Sequence, residues 1–249
     1  MEHAWQKALA EFVATFALIF IGAGAVIVAG PTIGNSGLVG VALAYGLVLA
    51  IMVSVTGHIS GGHVNPAVTV GAWVTGQIRT GLAGVYIVAQ LAGATFGALL
   101  LRAAIPESLW ARSFLGAPTV AHTGGITNAK AVVLEAILTF FLVFVVYGTA
   151  IDERGPFSKI AGLPIGLVLT FDVLAGGPFT GAAMNPARAF GPMLVGGHWA
   201  DWWVYWIGPM GGSIAAAAVY WFGFLGGREK LVAAPKSEQP IGGGPEGQG

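Results

Sequence analysis

Six long apolar stretches dominate this chain of 249 residues. Each approaches the ~20 residues that an α-helix needs to cross ~30 Å of hydrocarbon. Only 9% of the residues are charged, whereas soluble domains carry about 25%. The stretches therefore predict an all-α membrane protein with six spans, at residues 9–29, 38–57, 82–102, 131–151, 160–176 and 202–225.

Two shorter apolar segments, at 65–76 and 185–195, lie between these spans and are too short to cross a membrane. We predict a single membrane-embedded domain over residues 1–227. The segment 228–249 is rich in Gly, Pro and charged residues, which is typical of a disordered tail. The chain has no cysteine and a formal net charge of zero. We therefore expect no disulfides and no nucleic-acid partner.

The basic residues are distributed unevenly between the loops on the two sides of the six predicted spans. The side that carries both termini has the larger share, so the positive-inside rule predicts cytoplasmic termini and a cytoplasmic tail. We expect a multi-pass protein of the cell (plasma) membrane. The basic residues on the terminal side are Lys7, Arg79, Arg154, Lys159, Arg228, Lys230 and Lys236, and those on the other side are Arg102, Arg112 and Lys130.

The chain contains an internal repeat, with halves at about 5–102 and 130–225. Glu11, Thr15, Phe16, Leu18 and Phe20 reappear at the same spacing as Glu135, Thr139, Phe140, Leu142 and Phe144. Ser60-Gly61 and Asn65-Pro66-Ala67 likewise reappear as Thr180-Gly181 and Asn185-Pro186-Ala187. Because each half has an odd number of spans, the second half must be inverted in the membrane. Such repeats with short interrupted segments predict a site near the bilayer midplane.

The two Asn-Pro-Ala triplets, which begin at Asn65 and Asn185, each open one of the short segments. Asn favours the N-cap of a helix and Pro its first turn. We therefore predict two half-helices whose N-termini meet at the midplane, where their dipoles and the Asn amides face the same point. Water can accept those hydrogen bonds in single file, whereas protons and cations meet an electrostatic barrier.

Three stretches resemble the major intrinsic protein (aquaporin) family: GHISGGHVNPAVT (57–69), AGGPFTGAAMNPARAFGP (175–192) and WVYWIGPMGG (203–212). The resemblance covers residues 5–225. It implies an aquaporin-like right-handed bundle of six transmembrane helices with two re-entrant half-helices, and no cofactor. It also implies a homotetramer in which each protomer conducts separately. The pore motifs it implies are Asn65, Pro66, Ala67, Asn185, Pro186 and Ala187.

Arg188 follows the second triplet, and in the family this arginine belongs to a constriction called the selectivity filter. Counted from the Asn residues, the other filter positions fall on Tyr45, Val173 and Ala182. Strict water channels usually have Phe and His in place of the first two. The resemblance therefore implies a wider, less polar filter that passes water together with ammonia, hydrogen peroxide, and also glycerol or urea.

Two further comparisons with the family bear on the solute. Residues 170–192 are similar to the animal aquaporin branch that conducts ammonia and peroxide, although that branch has His where Tyr45 stands. Dedicated glycerol facilitators place Asp after the arginine and replace the aromatic pair of the sixth span, whereas this chain has Ala189 and Tyr205-Trp206. Water is therefore the first expected solute.

Four other polar residues lie inside the predicted bundle. Glu11 and Glu135, at equivalent repeat positions, are predicted to accept hydrogen bonds from the irregular backbone of the re-entrant loops, which must be satisfied within the protein. We expect His63 to line the pore vestibule, and we assign no function to Asp172.

The aromatic residues Trp199, Trp202, Trp203, Tyr205 and Trp206 are interpreted as an interfacial belt.

The sequence also bears on two other classes of function. An enzyme is not expected, because the histidines have no metal-ligand spacing and there is no Cys nucleophile. A secondary active transporter is the main alternative, since such proteins also use inverted repeats and broken helices. Coupling would require buried ionisable residues that exchange partners, and the candidates are Glu11, Glu135, Asp172 and Arg188.

Overall fold

The computed structural model describes residues 4–29 and 35–226, and every regular element in those two ranges is helical. The predicted tail at 228–249 lies outside the described residues. Short 3₁₀ turns connect some of the helices. The α-helices of the described part are α1 (Ala4–Val28), α2 (Gly37–Ser60), α3 (Pro66–Val74), α4 (Thr80–Ala104), α5 (Glu107–Trp110), α6 (Asn128–Val146), α7 (Gly162–Thr180), α8 (Pro186–Gly196) and α9 (Val204–Tyr220).

Six of these helices are long and apolar enough to cross a membrane, which confirms the six predicted spans. They are α1, α2, α4, α6, α7 and α9, and α6 and α9 each continue into a π-helical turn, Tyr147–Ile151 and Trp221–Leu225. The half-helices α3 and α8, of 9 and 11 residues, are too short to span.

The fifth span is longer than predicted at its C-terminal end. The predicted stretch ended at 176, but α7 continues through Pro178 to Thr180. Gly181 then ends the helix in the left-handed conformation (φ +79°), and its N–H donates to the Gly177 carbonyl. Gly61 ends α2 in the same way, at φ +93°. Glycine adopts this conformation without a Cβ penalty, so matching glycines release the chain into the two re-entrant loops.

The inverted repeat is visible in how the helices pack. Helix α1 packs along α4, α6 packs along α9, and α2 packs along α7 across the two halves. Equivalent glycines allow the first two contacts: a Cβ on Gly93 would lie 3.1 Å from Phe12 Cα, and one on Gly212 would lie 2.9 Å from Ala136 Cα. Small residues let membrane helices approach this closely.

The ends of the spans define two faces of the bundle. On the terminal face, the start of α1 and the end of α2 surround one cavity, which Lys7 and Gly61 help to line. On the distal face, the end of α1 and the start of α2 surround another, lined in part by Ala29 and Leu38. Tyr220, near the end of α9, donates a hydrogen bond to Asp152 beyond the end of α6. Glu153, next to Asp152, lines the terminal cavity, so both described chain ends lie at the terminal face.

Candidate functional site: the meeting point of two half-helices

Asn65 and Asn185 cap the two half-helices. Each has extended backbone dihedrals and is followed by Pro in the first helical turn. The Asn65 side-chain oxygen accepts a hydrogen bond from the Ala67 N–H at 2.8 Å, and the Asn185 oxygen accepts from the Ala187 N–H at 3.0 Å. These bonds satisfy amides that the first turn of a helix leaves unpaired.

The two caps are also bonded to each other's loops. The Asn65 side-chain amide donates to the Met184 carbonyl at 2.8 Å, and the Asn185 amide donates to the Val64 carbonyl at 3.0 Å. Val64 and Met184 both have positive φ, +56° and +51°, an uncommon conformation for such residues. The half-helices thus meet end to end. Each Asn amide has two hydrogens and uses one of them in this bond.

Glu11 anchors the first loop. Its carboxylate is fully buried and accepts hydrogen bonds from the N–H groups of His63 (2.9 Å) and Val64 (2.6 Å). Ser60 Oγ and Gln90 Nε2 donate to the same carboxylate at 2.6 and 2.8 Å. Four donors therefore converge on one charge, which offsets the cost of burying it.

Glu135 anchors the second loop in the same way. It is fully buried and accepts from the N–H groups of Ala183 (2.9 Å) and Met184 (2.7 Å) and from Thr180 Oγ1 (2.7 Å). The counterpart of Gln90 in this half is Pro209, which has no donor. The second anchor consequently has one donor fewer than the first.

Two buried tyrosines, Tyr86 and Tyr205, complete the anchors, and neither was predicted to bond the re-entrant loops. Tyr86 Oη donates to the Ser60 carbonyl at 2.6 Å, and Tyr205 Oη donates to the Thr180 carbonyl at 2.9 Å. The assignment of Tyr205 to an interfacial belt is therefore wrong, because its side chain is fully buried. The repeat held the signal: Tyr86 and Tyr205 precede the equivalent Gly93 and Gly212 by the same interval.

Arg188 is held near the distal end of the passage. The guanidinium is almost fully buried, donates from Nη1 to the Gly116 carbonyl at 3.0 Å, and lies 5.0 Å from the centre of the Tyr45 ring. That separation is within the range of a cation–π contact. Tyr45, Ala182 and Arg188 line a narrow cavity together with both capping Asn residues. Val173 instead lines the distal cavity, next to Arg188.

The narrow cavity lies between two larger ones. Counted as the space that the centre of a water molecule can occupy, it measures about 20 Å³. The cavity on the terminal face measures about 360 Å³ and the one on the distal face about 410 Å³. Arg188 lines both the narrow and the distal cavity, while His63 lines both the narrow and the terminal one. The three cavities therefore lie one after another, with the narrowest in the middle.

His63 and Asp172 differ in how they are paired. His63 Nδ1 lies 3.1 Å from Thr69 Oγ1, and its ring packs edge-on against Tyr86 with centroids 5.2 Å apart. Asp172 is buried on α7, and within the described residues its Oδ2 atom has no hydrogen-bond partner. Over the same residues, no group of three His, Asp or Glu side chains could hold a metal ion.

Comparison with known proteins places this arrangement in a family. The model of the family described as "MIP: Major intrinsic protein" matches residues 1–220. The chain is 46% identical over 217 residues to Aquaporin TIP4-4 of Zea mays, covering 84% of this chain and 83% of that protein. It is 41% identical over 214 residues to Aquaporin TIP2-1 of Arabidopsis thaliana, covering 83% of each.

A solved structure has the same fold. The X-ray structure of the aquaglyceroporin from Plasmodium falciparum superposes with a TM-score of 0.73 at 25% identity, covering 87% of this chain and 95% of that chain. The matching family model and these relatives span most of the sequence. The chain therefore belongs to the major intrinsic protein family, whose members are membrane channels and not enzymes.

Proposed function

We propose that this chain is a passive channel that conducts water in single file. The observation that carries the proposal is the cavity of about 20 Å³ where the two half-helices meet, between two vestibules more than ten times larger. So small a space leaves little room for the centres of two molecules side by side. Molecules must therefore pass this point one behind another.

We propose that the meeting point excludes protons and cations. Both half-helix N-termini point at it, and each carries a partial charge of roughly +0.5. At about 5 Å and an effective dielectric constant of about 20, each end repels a monovalent cation by about 1.7 kcal/mol. Arg188 adds a full buried charge on the same route. A water molecule that accepts bonds from Asn65 and Asn185 points its own hydrogens outward, which interrupts a chain of proton transfer.

We propose that Tyr45, Val173, Ala182 and Arg188 form the selectivity filter. Three of them line the narrow cavity and Val173 lines the vestibule beside it. The side chains of Val173 and Ala182 add no polar group, so Arg188 and the Tyr45 ring would make most of the specific contacts with a solute. This composition fits water first and, beyond it, small neutral solutes: ammonia, hydrogen peroxide, glycerol or urea. His63 would form the wall of the opposite vestibule.

We propose that the assembled form is a homotetramer, with both termini in the cytoplasm. An exposed apolar stripe on α2 (Leu43, Leu47 and Ile51) gives a neighbouring protomer or lipid a surface to cover. Native mass spectrometry from mild detergent tests the tetramer, and protease protection of tags at each end tests the orientation. The plasma membrane stays our prediction for the host membrane, and fluorescence of a tagged chain in its native cells tests it.

The test of the channel itself is osmotic shrinkage of proteoliposomes. Vesicles with the protein should shrink much faster than empty vesicles, with a low activation energy and at the same rate with or without a proton gradient. The matched control is Val173→Trp, which fills the distal approach next to Arg188 while leaving the anchors intact. A shrinkage rate equal to that of empty vesicles, with protein correctly inserted, would refute the channel. Uphill solute uptake driven by a gradient would instead favour the secondary transporter.

A further inference from the structure

Gly22, in the middle of α1, lies directly against the Tyr45 ring. A Cβ built on Gly22 would lie 2.6 Å from Tyr45 Cζ and still closer to Cδ1 and Cε1. Real Cβ atoms essentially never approach a neighbour within 3.0 Å. The ring thus occupies space that exists only because residue 22 has no side chain. Gly22 itself is buried and does not line the narrow cavity.

The next residue of α1 supports the other side of the constriction. A Cβ on Gly116 would lie 2.7 Å from both the Cβ and the carbonyl oxygen of Ala23, so the loop backbone rests directly on Ala23. Gly116 is in the left-handed region (φ +77°), and its carbonyl accepts the 3.0 Å hydrogen bond from Arg188. Ala23 therefore supports Gly116, and Gly116 in turn holds the guanidinium of Arg188 in place.

The geometry points to Gly22 and Ala23 as positioning residues that set the width of the constriction. The Tyr45 ring and the Arg188 guanidinium contact each other at 5.0 Å. Each rests on one of two consecutive residues of the same helix. A rigid helix fixes the distance between its own residues. Helix α1 therefore sets the distance between the Tyr45 ring and the Arg188 guanidinium. This inference rests on the proposed filter, and it assigns a selectivity role to residues that touch no solute.

Gly22 differs from the glycines that only bring helices together. A Cβ on Gly93 would meet the backbone of Phe12, which cannot yield without moving the helix. A Cβ on Gly22 meets a side chain that borders a cavity. Tyr45 belongs to a cluster of buried residues and also lines the narrow cavity, so the cavity is the open space beside the ring. Gly22→Ala should therefore narrow the passage while α1 and α2 stay together.

The test compares four variants by stopped-flow permeability to water and glycerol in proteoliposomes. Gly22→Ala should lower water permeability about tenfold, equivalent to ~1.4 kcal/mol on the barrier. Gly24→Ala is the matched control, because its Cβ would lie 3.3 Å from Leu101 Cδ2, the far end of a side chain, and it should behave as the parent chain. Tyr45→Ala should raise glycerol passage. In the double variant, Gly22→Ala should have no further effect, because the ring that it would displace is absent.

A fifth variant, Ala23→Gly, tests the Arg188 side of the constriction by removing a methyl group. Removing this Cβ takes away one of the Ala23 contacts that support Gly116, so Arg188 should be held less firmly and glycerol passage should rise. Gly22→Ala should instead narrow the passage. The inference is overturned if Gly22→Ala matches the parent chain, if its effect persists in the Tyr45→Ala background, or if Ala23→Gly leaves glycerol passage unchanged. If Tyr45→Ala alone alters neither permeability, the proposed filter is wrong and the positioning role falls with it.

Discussion

The anchor of the first re-entrant loop can be tested by Glu11→Gln, which keeps the size of the side chain and removes its charge. The amide oxygen can still accept from Ser60 and the His63 N–H. The amide nitrogen can donate to Gln90 Oε1, an atom without a hydrogen-bond partner in the described structure, if Gln90 reverses its amide. The Val64 N–H, which now donates to the carboxylate at 2.6 Å, faces another donor and loses its partner.

The cost follows from these four contacts. Hydrogen bonds to a charged group contribute about 1.5–3 kcal/mol and neutral ones about 0.5–1.5 kcal/mol, so each retained bond weakens by about 1 kcal/mol. The unpaired Val64 N–H costs about 1–3 kcal/mol more. The total is about 4–6 kcal/mol. At roughly 2–4 °C per kcal/mol for a chain of this size, Tm should fall by roughly 10–20 °C.

Thermal unfolding in detergent, followed by the fluorescence of the 8 tryptophans, measures this shift. Glu107→Gln is the matched control, because Glu107 is exposed at the start of α5 and should leave Tm unchanged. Water permeability should fall as well, since Val64 also provides the carbonyl that Asn185 holds. A Glu11→Gln protein with the Tm of the parent chain would refute the anchoring argument.

Two further predictions concern the distal side of the molecule. Arg188→Val should increase passage of charged or larger solutes and preserve the fold, and unchanged cation exclusion and solute cutoff would remove Arg188 from the filter. The hydrogen bonds of His122 to Asp201 and to the Ile126 carbonyl raise its pKa above 6.5, so their contribution to stability is complete below pH 6.5 and is lost as pH rises through the raised value. Asp201→Asn removes the larger of the two contributions and should weaken that pH dependence of Tm. A Tm profile identical to that of the parent chain on the alkaline side of pH 6.5 would contradict it.

Features that follow local rules could be predicted from the sequence. The six spans follow from the length of apolar runs, and the half-helices follow from Asn-Pro starts on segments too short to span. The inverted repeat follows from the spacing of matching residues. Glu11 and Glu135 could be singled out because a carboxylate inside an apolar run needs donors, and the irregular backbone of the re-entrant loops supplies them.

Features that depend on distant contacts could not be predicted. Whether Tyr205 faces lipid or the loop depends on the rotation of α9 about its axis, and an apolar helix with weak amphipathicity does not reveal that rotation. The role of Gly116 depends on the path of a loop between α5 and α6 that returns onto α1. Gly22 looks like any other small residue of a membrane helix until the position of the Tyr45 ring is known.

The repeat also shows why selectivity should lie on one side only. The anchors are shared by both halves, but the residue equivalent to Arg188 in the first half is Val68, which lines the narrow cavity and the terminal vestibule. In the proposed mechanism both halves thus contribute to the midplane barrier, whereas only the second half contributes the charged filter residue. We therefore expect Val68→Ala to leave the solute cutoff unchanged or slightly relaxed, whereas the matching truncation Arg188→Ala should change it strongly. Equal effects of the two substitutions on glycerol and cation passage would mean that the constriction is set by the half-helix ends and not by the distal arginine.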